Sequence, residues 1–448
     1  MNVAVFGLGK LGAPLAVLLA SKGHTVAGYD VDPRPAQLLA QGVSPVREPG
    51  MDERLAAMGG SFRAAATPQE AVVNSTMSFV VVPTPSDDSG AFSAHYAEQA
   101  AVMIGRALRH ATDHHLVVLS STVMPGQTRG AFVPALEAAA GEACGARFGV
   151  CYNPEFVALG SVLRDLVRPD LVLIGEADPH CGARLEAFYR EFCENEPAID
   201  RMTFENAELA KLALNTFVTM KITFANALAD MCERLPTGDI DAVTNAVGVD
   251  SRVGRKYLRG GLGYGGPCFP RDVLAYTSLA RRLGVAASLA EATHLSNQTR
   301  LDALVATALG LTTRGSSIGV LGLSYKPGTP VIECSPAVDL ASRLARAGRA
   351  VMVFDPMAMD EARPVLGNRV TYAKDVEQIV AEGDVLVIAT NWPEFQQLPL
   401  AQLGSRARRA TIVDCWRVLD PDVYQEVADI RYIGRAGASA VAEHSWRE

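Results

Sequence analysis

The residues most able to do chemistry lie in one stretch, GGLGYGGPCFPRD, from Gly260 to Asp272. Five glycines in seven positions exclude a regular element. Glycine tolerates positive φ and close backbone approach, so the run suits a loop folded around a ligand. Cys268 follows directly, and Pro270 is a favourable early helical residue. The thiol is therefore expected just ahead of a helix N-terminus, whose unpaired N–H groups and positive dipole end favour a thiolate. Asp272, four residues on, is close enough to share a small site. The bland alternative is a glycine-rich surface turn beside an inert cysteine.

A second constellation opens the chain. Residues 2 to 30 read as an apolar strand, a G-x-G-x-x-G turn (Gly7, Gly9, Gly12), an Ala/Leu-rich helix and a second strand ending in Asp30. In that context the glycines let the backbone approach a pyrophosphate, the helix N-terminus faces its charge, and Asp30 is placed to accept from a ribose 2′-OH. An acid there repels a 2′-phosphate and so favours NAD over NADP, a preference that Arg34 blurs slightly. Strands expected at 78–82 and 116–120 each run into a polar loop, placing Thr84, Ser121 and Thr122 along the cofactor crevice beyond the strand ends. Each hydroxyl could equally serve an ordinary turn.

The strand before Asn153 delivers Glu155 and Phe156 into a loop, where a Glu after a Pro is either functional or merely solvated. The run 171–174 is expected to close the first sheet. From Glu205 to Arg234 no Gly or Pro interrupts a helical pattern about 45 Å long, of the kind that bridges domains and pairs with its own copy. Lys211 and Asn215 share one face of it, either as snorkelling surface groups or as a pair aimed into a site. Helices are then expected over about 273–283 and 286–310. Apolar strands near 316–323, 350–355, 384–390 and 410–414 build another α/β domain. It lacks a full G-x-G-x-x-G and is expected to bind a different, mononucleotide-type ligand, with Lys326 at the carboxyl end of its first strand.

These elements predict an α/β chain: two Rossmann-like doubly wound parallel-sheet domains joined by a long central helix and a helical segment. The expected domains are 1–200 (NAD-binding), 201–310 (central, dimerising) and 311–448 (a second α/β domain for the mononucleotide-type ligand). At 448 residues the chain is too long for one core. A net charge of −8 without a Lys/Arg block argues against a nucleic-acid partner. Neither a secretory signal nor a run of about 18 apolar residues is read, so no membrane association is expected. The eight cysteines show no C-x-x-C pair, and the histidines, His114 and His115 included, show no metal spacing. Reduced thiols, a cytoplasmic setting and no metal are expected.

Taken in order, GLGKLGAP, the EPG of 48–50, VPTP at 82–85, STV at 121–123, NPEF at 153–156, ELAKLALN with Lys221, SRVGRKYL, GYGGPCFPRD and GLSYKP make the chain resemble the UDP-glucose/GDP-mannose dehydrogenase family over essentially its full length, most nearly its UDP-glucose-oxidising members. The resemblance implies an NAD-dependent, four-electron oxidation of a sugar C6 alcohol, UDP-glucose to UDP-glucuronate. Cys268 would be the nucleophile that forms a thiohemiacetal and then a thioester. Glu155 would be the base for hydrolysis, Asp272 with Thr122 and a water the proton-handling set, and Lys211 and Asn215 the oxyanion donors. It also implies that Phe156, Lys211, Asn215, Arg252, Tyr257, Gly265 and Lys326 surround the nucleotide-sugar, with Arg252 reaching a neighbouring subunit. Gly7, Leu8, Gly9, Leu11, Gly12, Asp30, Pro83, Thr84, Ser121 and Thr122 would hold NAD. That site would form only when the first domain and the central segment close. Two positions depart from the family pattern: Leu159 stands where an acid is usual, and Glu333 where an Arg usually meets the pyrophosphate. GDP-mannose or a UDP-N-acetylhexosamine would suit the same chemistry. A binding protein that kept the fold and lost the reaction is the reading from another class.

Overall fold

The computed structural model describes residues 1–313 and 315–437. The chain divides into two compact units, residues 1–214 with 274–285, and 215–273 with the remainder from 286.

The first unit is built on an eight-stranded sheet of β1 (Asn2–Phe6), β2 (Thr25–Tyr29), β3 (Phe62–Ala64), β4 (Met77–Val80), β5 (His115–Leu119), β6 (Phe148–Tyr152), β7 (Leu171–Glu176) and β8 (Ala198–Met202), in the order 3-2-1-4-5-6-7-8. Both faces are covered, so strands such as HLVVL (β5) and FGVCY (β6) are buried along their whole length and lack an alternating pattern. Two expectations need correction. The strand at 171–176 does not close the sheet, because β8 lies outside it and extends the sheet to Met202. That strand is also antiparallel to β6, pairing Cys151 with Glu176, whereas every other pair in the sheet is parallel. The short polar edge strands β3 and β8 carry too few apolar residues to announce themselves by pattern.

The second unit holds a six-stranded, wholly parallel sheet of β9 (Ser317–Leu321), β10 (Ala350–Phe354), β11 (Thr371–Tyr372), β12 (Val385–Ile388), β13 (Ala410–Asp414) and β14 (Ala428–Tyr432), in the order 11-10-9-12-13-14. It repeats the doubly wound topology of the first sheet. Asp355, just after its second strand, accepts from the backbone N–H groups of Leu323, Ser324, Met357 and Ala358. That buried carboxylate ties the first strand-to-helix turn to the next strand.

The central helix spans Phe204–Cys232, and the helix after the glycine run spans Phe269–Arg282, starting four residues earlier than its apolar pattern suggested because Pro270 nucleates it. Among the described helices only the central one is long and apolar enough, by length and composition, to cross a bilayer. Its buried charges are instead satisfied by protein groups: Glu208 accepts from the N–H groups of Gly126 and Thr128 at 2.6 and 2.8 Å, and Lys211 donates to a backbone carbonyl.

Candidate active site

In the first unit the glycine turn has the shape that a pyrophosphate needs. Gly7 has φ +89°, and a Cβ on Gly12 would stand 1.9 Å from the Gly7 carbonyl oxygen. Only glycine lets the turn fold back on the start of the helix Gly12–Ser21. Asp30 accepts from Leu8 N–H at 2.7 Å and from Asp32 N–H at 2.9 Å. Its carboxylate therefore fixes the turn as well as facing the crevice, and its remaining lone pairs suffice for a ribose hydroxyl. Leu8 is buried against the core, with Leu11 packed beside it. Beyond β4 and β5, Ser121 accepts from Val82 N–H at 2.8 Å and donates to Val82 carbonyl at 2.7 Å. Its hydroxyl ties the loop after β4 to the loop after β5.

Glu155, Phe156 and Lys211 come together in this unit. Lys211 is only 6% exposed, which rules out the snorkelling alternative. Its ammonium donates to the Glu155 carbonyl at 2.6 Å and lies 4.6 Å from the centre of the Phe156 ring. Glu155 itself is partly buried, and its Oε1 has no hydrogen-bond partner among the described residues. Burial pushes the carboxyl up to about 7, against the opposing pull of the Lys211 charge. The loop that follows is held by Glu48, which accepts from Gly160 and Val162 N–H at 2.8 and 2.7 Å. Leu159, at the first departure from the family pattern, packs against the apolar core.

In the second unit Cys268 immediately precedes the first residue of the helix Phe269–Arg282, and its carbonyl accepts the first helical bond, from Asp272 N–H at 2.9 Å. The thiol residue is exposed, while Asp272 is only 4% exposed and accepts from Asn215 Nδ2 at 2.5 Å. The glycine run ahead of it is rigidly held. Asn226 accepts from Gly261 N–H, Arg300 donates to the Gly261 carbonyl, Asn297 bonds both the N–H and the carbonyl of Tyr264, and Arg417, whose side chain is buried, donates to the Gly260 carbonyl while paired with Asp241. Gly266, at φ +83°, leaves room for the Tyr325 ring and donates to the Glu333 carbonyl, and Gly265 lies against the Cys334 carbonyl. This brings the loop beside Tyr325 and Lys326. The Glu333 side chain is exposed, and its backbone rather than its charge serves the loop. Tyr257 packs edge-on to Phe269 with ring centres 6.0 Å apart. Lys221 fixes the preceding stretch through the Val253 and Gly254 carbonyls. Arg252 is an exposed side chain, bonded at both ends to Asp250.

The residues singled out by sequence thus form two sets. Thr122, Glu155, Phe156 and Lys211 belong to the first unit, and Asn215, Arg252, Tyr257, Gly265, Cys268, Asp272 and Lys326 to the second. Lys211 and Asn215 remain one turn apart on the continuous central helix. Sequence reasoning missed the supporting groups Glu208, Asn226, Asn297, Arg300 and Arg417. An isolated Asn or Arg on an apolar helix was the available signal, and only Lys211 and Asn215 were read that way.

A dinucleotide turn on one doubly wound sheet, a second such sheet, and a thiol at a helix N-terminus define an oxidoreductase of the two-domain dehydrogenase kind. Three family models cover the chain: the UDP-glucose/GDP-mannose dehydrogenase family NAD binding domain over residues 1–193, its central domain over 205–299 and its UDP binding domain over 319–421. A UDP-glucose 6-dehydrogenase of Rhizobium meliloti is 35% identical over 430 residues, 94% of this chain and 96% of that protein. A GDP-mannose 6-dehydrogenase of Pseudomonas aeruginosa is 34% identical over 425 residues, 89% and 93% of the two chains. A solved UDP-glucose dehydrogenase of Pyrobaculum islandicum superposes with a TM-score of 0.86 at 36% identity, covering 97% of this chain and 98% of that one. The chain belongs to the UDP-glucose/GDP-mannose dehydrogenase family. That family comprises NAD-dependent nucleotide-sugar dehydrogenases, and the chain carries its NAD-binding domain first and its UDP-binding domain toward the carboxyl end.

Proposed function

We propose that the protein oxidises the C6 alcohol of UDP-glucose to the carboxylate of UDP-glucuronate, with Cys268 carrying the sugar between two oxidations. The observation that carries this reading is the Cys268–Asp272–Asn215 arrangement: an exposed thiol at a helix N-terminus, one turn from a buried carboxylate that an amide already orients. NAD supplies the hydride acceptor for both oxidations. Asp272, through a water near Thr122, takes the hydroxyl proton. Cys268 sulfur then bonds to the aldehyde carbon, giving a thiohemiacetal, and the second oxidation gives the thioester. Lys211 and Asn215 donate to the oxygen that gains charge in each tetrahedral species. Glu155 takes a proton from water, whose oxygen displaces the Cys268 thiolate and releases the carboxylate. Covalent capture keeps the aldehyde from escaping between the two steps.

Phe156, Tyr257, Gly265 and Lys326 would surround the nucleotide-sugar, Lys326 by its charge. Arg252 would have to exchange Asp250 for a phosphate of the substrate in a neighbouring subunit. Assembly as a dimer is supported by Phe217, Phe224 and Met231, which are 58%, 55% and 60% exposed at seven-residue spacing on the central helix and so form one apolar stripe. UDP-glucose is preferred because it is the substrate named for relatives at 32 to 35% identity, although the GDP-mannose enzymes stand as near. A panel of UDP-glucose, GDP-mannose and UDP-N-acetylhexosamines with NAD decides among them, reading NADH and product mass. About two NADH per uronate are expected, as the thioester route requires, and Cys268→Ser should abolish uronate while the fold persists. A yield of one NADH, or turnover surviving Cys268→Ser, refutes the mechanism. Turnover of none of the sugars would favour a binding protein.

A further inference from the structure

Away from the glycine turn, at the opposite end of the first sheet's strands, lies a cluster that the proposed reaction does not use. Because β7 runs antiparallel to β6, its carboxyl end emerges beside the amino end of β6, about 15 Å from the dinucleotide end of a five-residue strand. There Asp178 caps the helix Pro179–Phe192, accepting from His180 and Cys181 N–H at 2.9 and 3.0 Å. One ligand atom each from Asp178, His180 and Cys181 lies within 4.8 Å of the others. These residues line a cavity of about 590 Å³ together with Cys144, which comes from the turn before β6. The fold also makes room for the thiol: a Cβ on Gly149 of β6 would stand 1.9 Å from Cys181 Sγ and 3.7 Å from His114 Cε1.

We propose that Cys144, Asp178, His180 and Cys181 form a structural site for a borderline-soft divalent metal ion, Zn²⁺ in the first place. Two thiolates, an imidazole and a carboxylate are the donor types Zn²⁺ takes in closed four-coordinate sites, whereas a hard cation would call for an all-oxygen set. His180 is exposed on the first turn of its helix, which leaves its ring room to turn toward the other donors. His114 is not one of the ligands. Arg184 donates to its Nδ1 at 3.2 Å, which leaves the ring proton on Nε2, so the ring walls the cavity instead. Arg129, also on the wall, is paired with Glu205, so its charge is offset. Binding replaces each S–H bond by an S–metal bond and releases its proton, with nothing oxidised. The ion would staple the turn before β6 to the helix after β7, where the sheet changes direction. The scattered cysteine spacing concealed this set, since Cys144 lies on a different segment from Asp178, His180 and Cys181.

The test uses the full chain, stripped with a chelator and titrated with Co²⁺ as a coloured stand-in for Zn²⁺. One Co²⁺ per chain is expected, with a thiolate-to-cobalt charge-transfer band that Zn²⁺ displaces. Cys144→Ser combined with Cys181→Ser should abolish the band, His180→Ala should weaken Co²⁺ binding at least about tenfold, and Cys268→Ser should leave both unchanged. The absence of a thiolate–cobalt band in the parent chain overturns the proposal. So does a band that survives the loss of both Cys144 and Cys181 or disappears with Cys268→Ser. Should the double variant fail to fold, the exposed His180→Ala variant decides, and unchanged affinity there also refutes the site.

Discussion

Replacing Glu155 by Gln separates what this carboxyl does for catalysis from what it costs the fold. Its carboxyl is raised from 4.5 to about 7 because burial disfavours the charge. In the unfolded chain it ionises near its ordinary value, so between these two values the unfolded state releases a proton that the folded state keeps. The stability linked to the neutral carboxyl is complete below about pH 4.5 and lost as pH rises through about 7, a total of about 3 kcal/mol. Gln cannot ionise and does not pay that penalty. Glu155→Gln should therefore unfold at a higher urea concentration than the parent at pH 8, by about 2–3 kcal/mol more than any difference at pH 4.5. The same substitution removes the proposed base for hydrolysis, a role worth about 10²–10⁴ in rate, so a thioester on Cys268 should accumulate in mass spectra of quenched reactions. In the parent, hydrolysis should accelerate as pH rises through about 7, because the base must be ionised. Equal pH dependence of stability in the two proteins would refute the burial argument, and hydrolysis unchanged in the variant would remove Glu155 from the mechanism.

Two other perturbations address support and assembly. Glu208→Ala leaves the Gly126 and Thr128 N–H groups without their buried acceptor, which should lower stability by about 2–4 kcal/mol in urea unfolding; a loss under about 0.5 kcal/mol would mean that the loop carrying Thr122 is held otherwise. Phe217→Asp combined with Phe224→Asp should convert a dimer to monomer in light scattering behind gel filtration, since two charges would enter the apolar stripe, and a dimer that persists would place the interface elsewhere.

Much of the candidate site could be read along the chain, because its signals are local. The turn that Gly7 and Gly12 permit, and the acid at position 30 that pins it, fall within one strand–helix–strand unit. Cys268 precedes a helix because Pro270 starts one. The hydrophobic run of each long buried strand marked it as a strand, whereas β3, β8, β11 and β14 were missed, being short or polar edges supported by one neighbour. The direction of β7 was equally hidden: its residues LVLIGE suit a parallel or an antiparallel partner alike, and only the chain path decides.

The amino-acid sequence by itself determined the fold class, the dinucleotide turn and the placing of a thiol at a helix N-terminus, since each follows from backbone preference and periodicity over a few residues. Tertiary structure decided which polar groups are buried and with whom. Asn226 meets Gly261 across 35 residues and Arg417 meets Gly260 across 157. Asp272 gains its amide partner from a helix 57 residues earlier. Such pairings arise because a buried polar group must find a hydrogen-bond partner wherever the packed chain supplies one, and no local pattern records where that is.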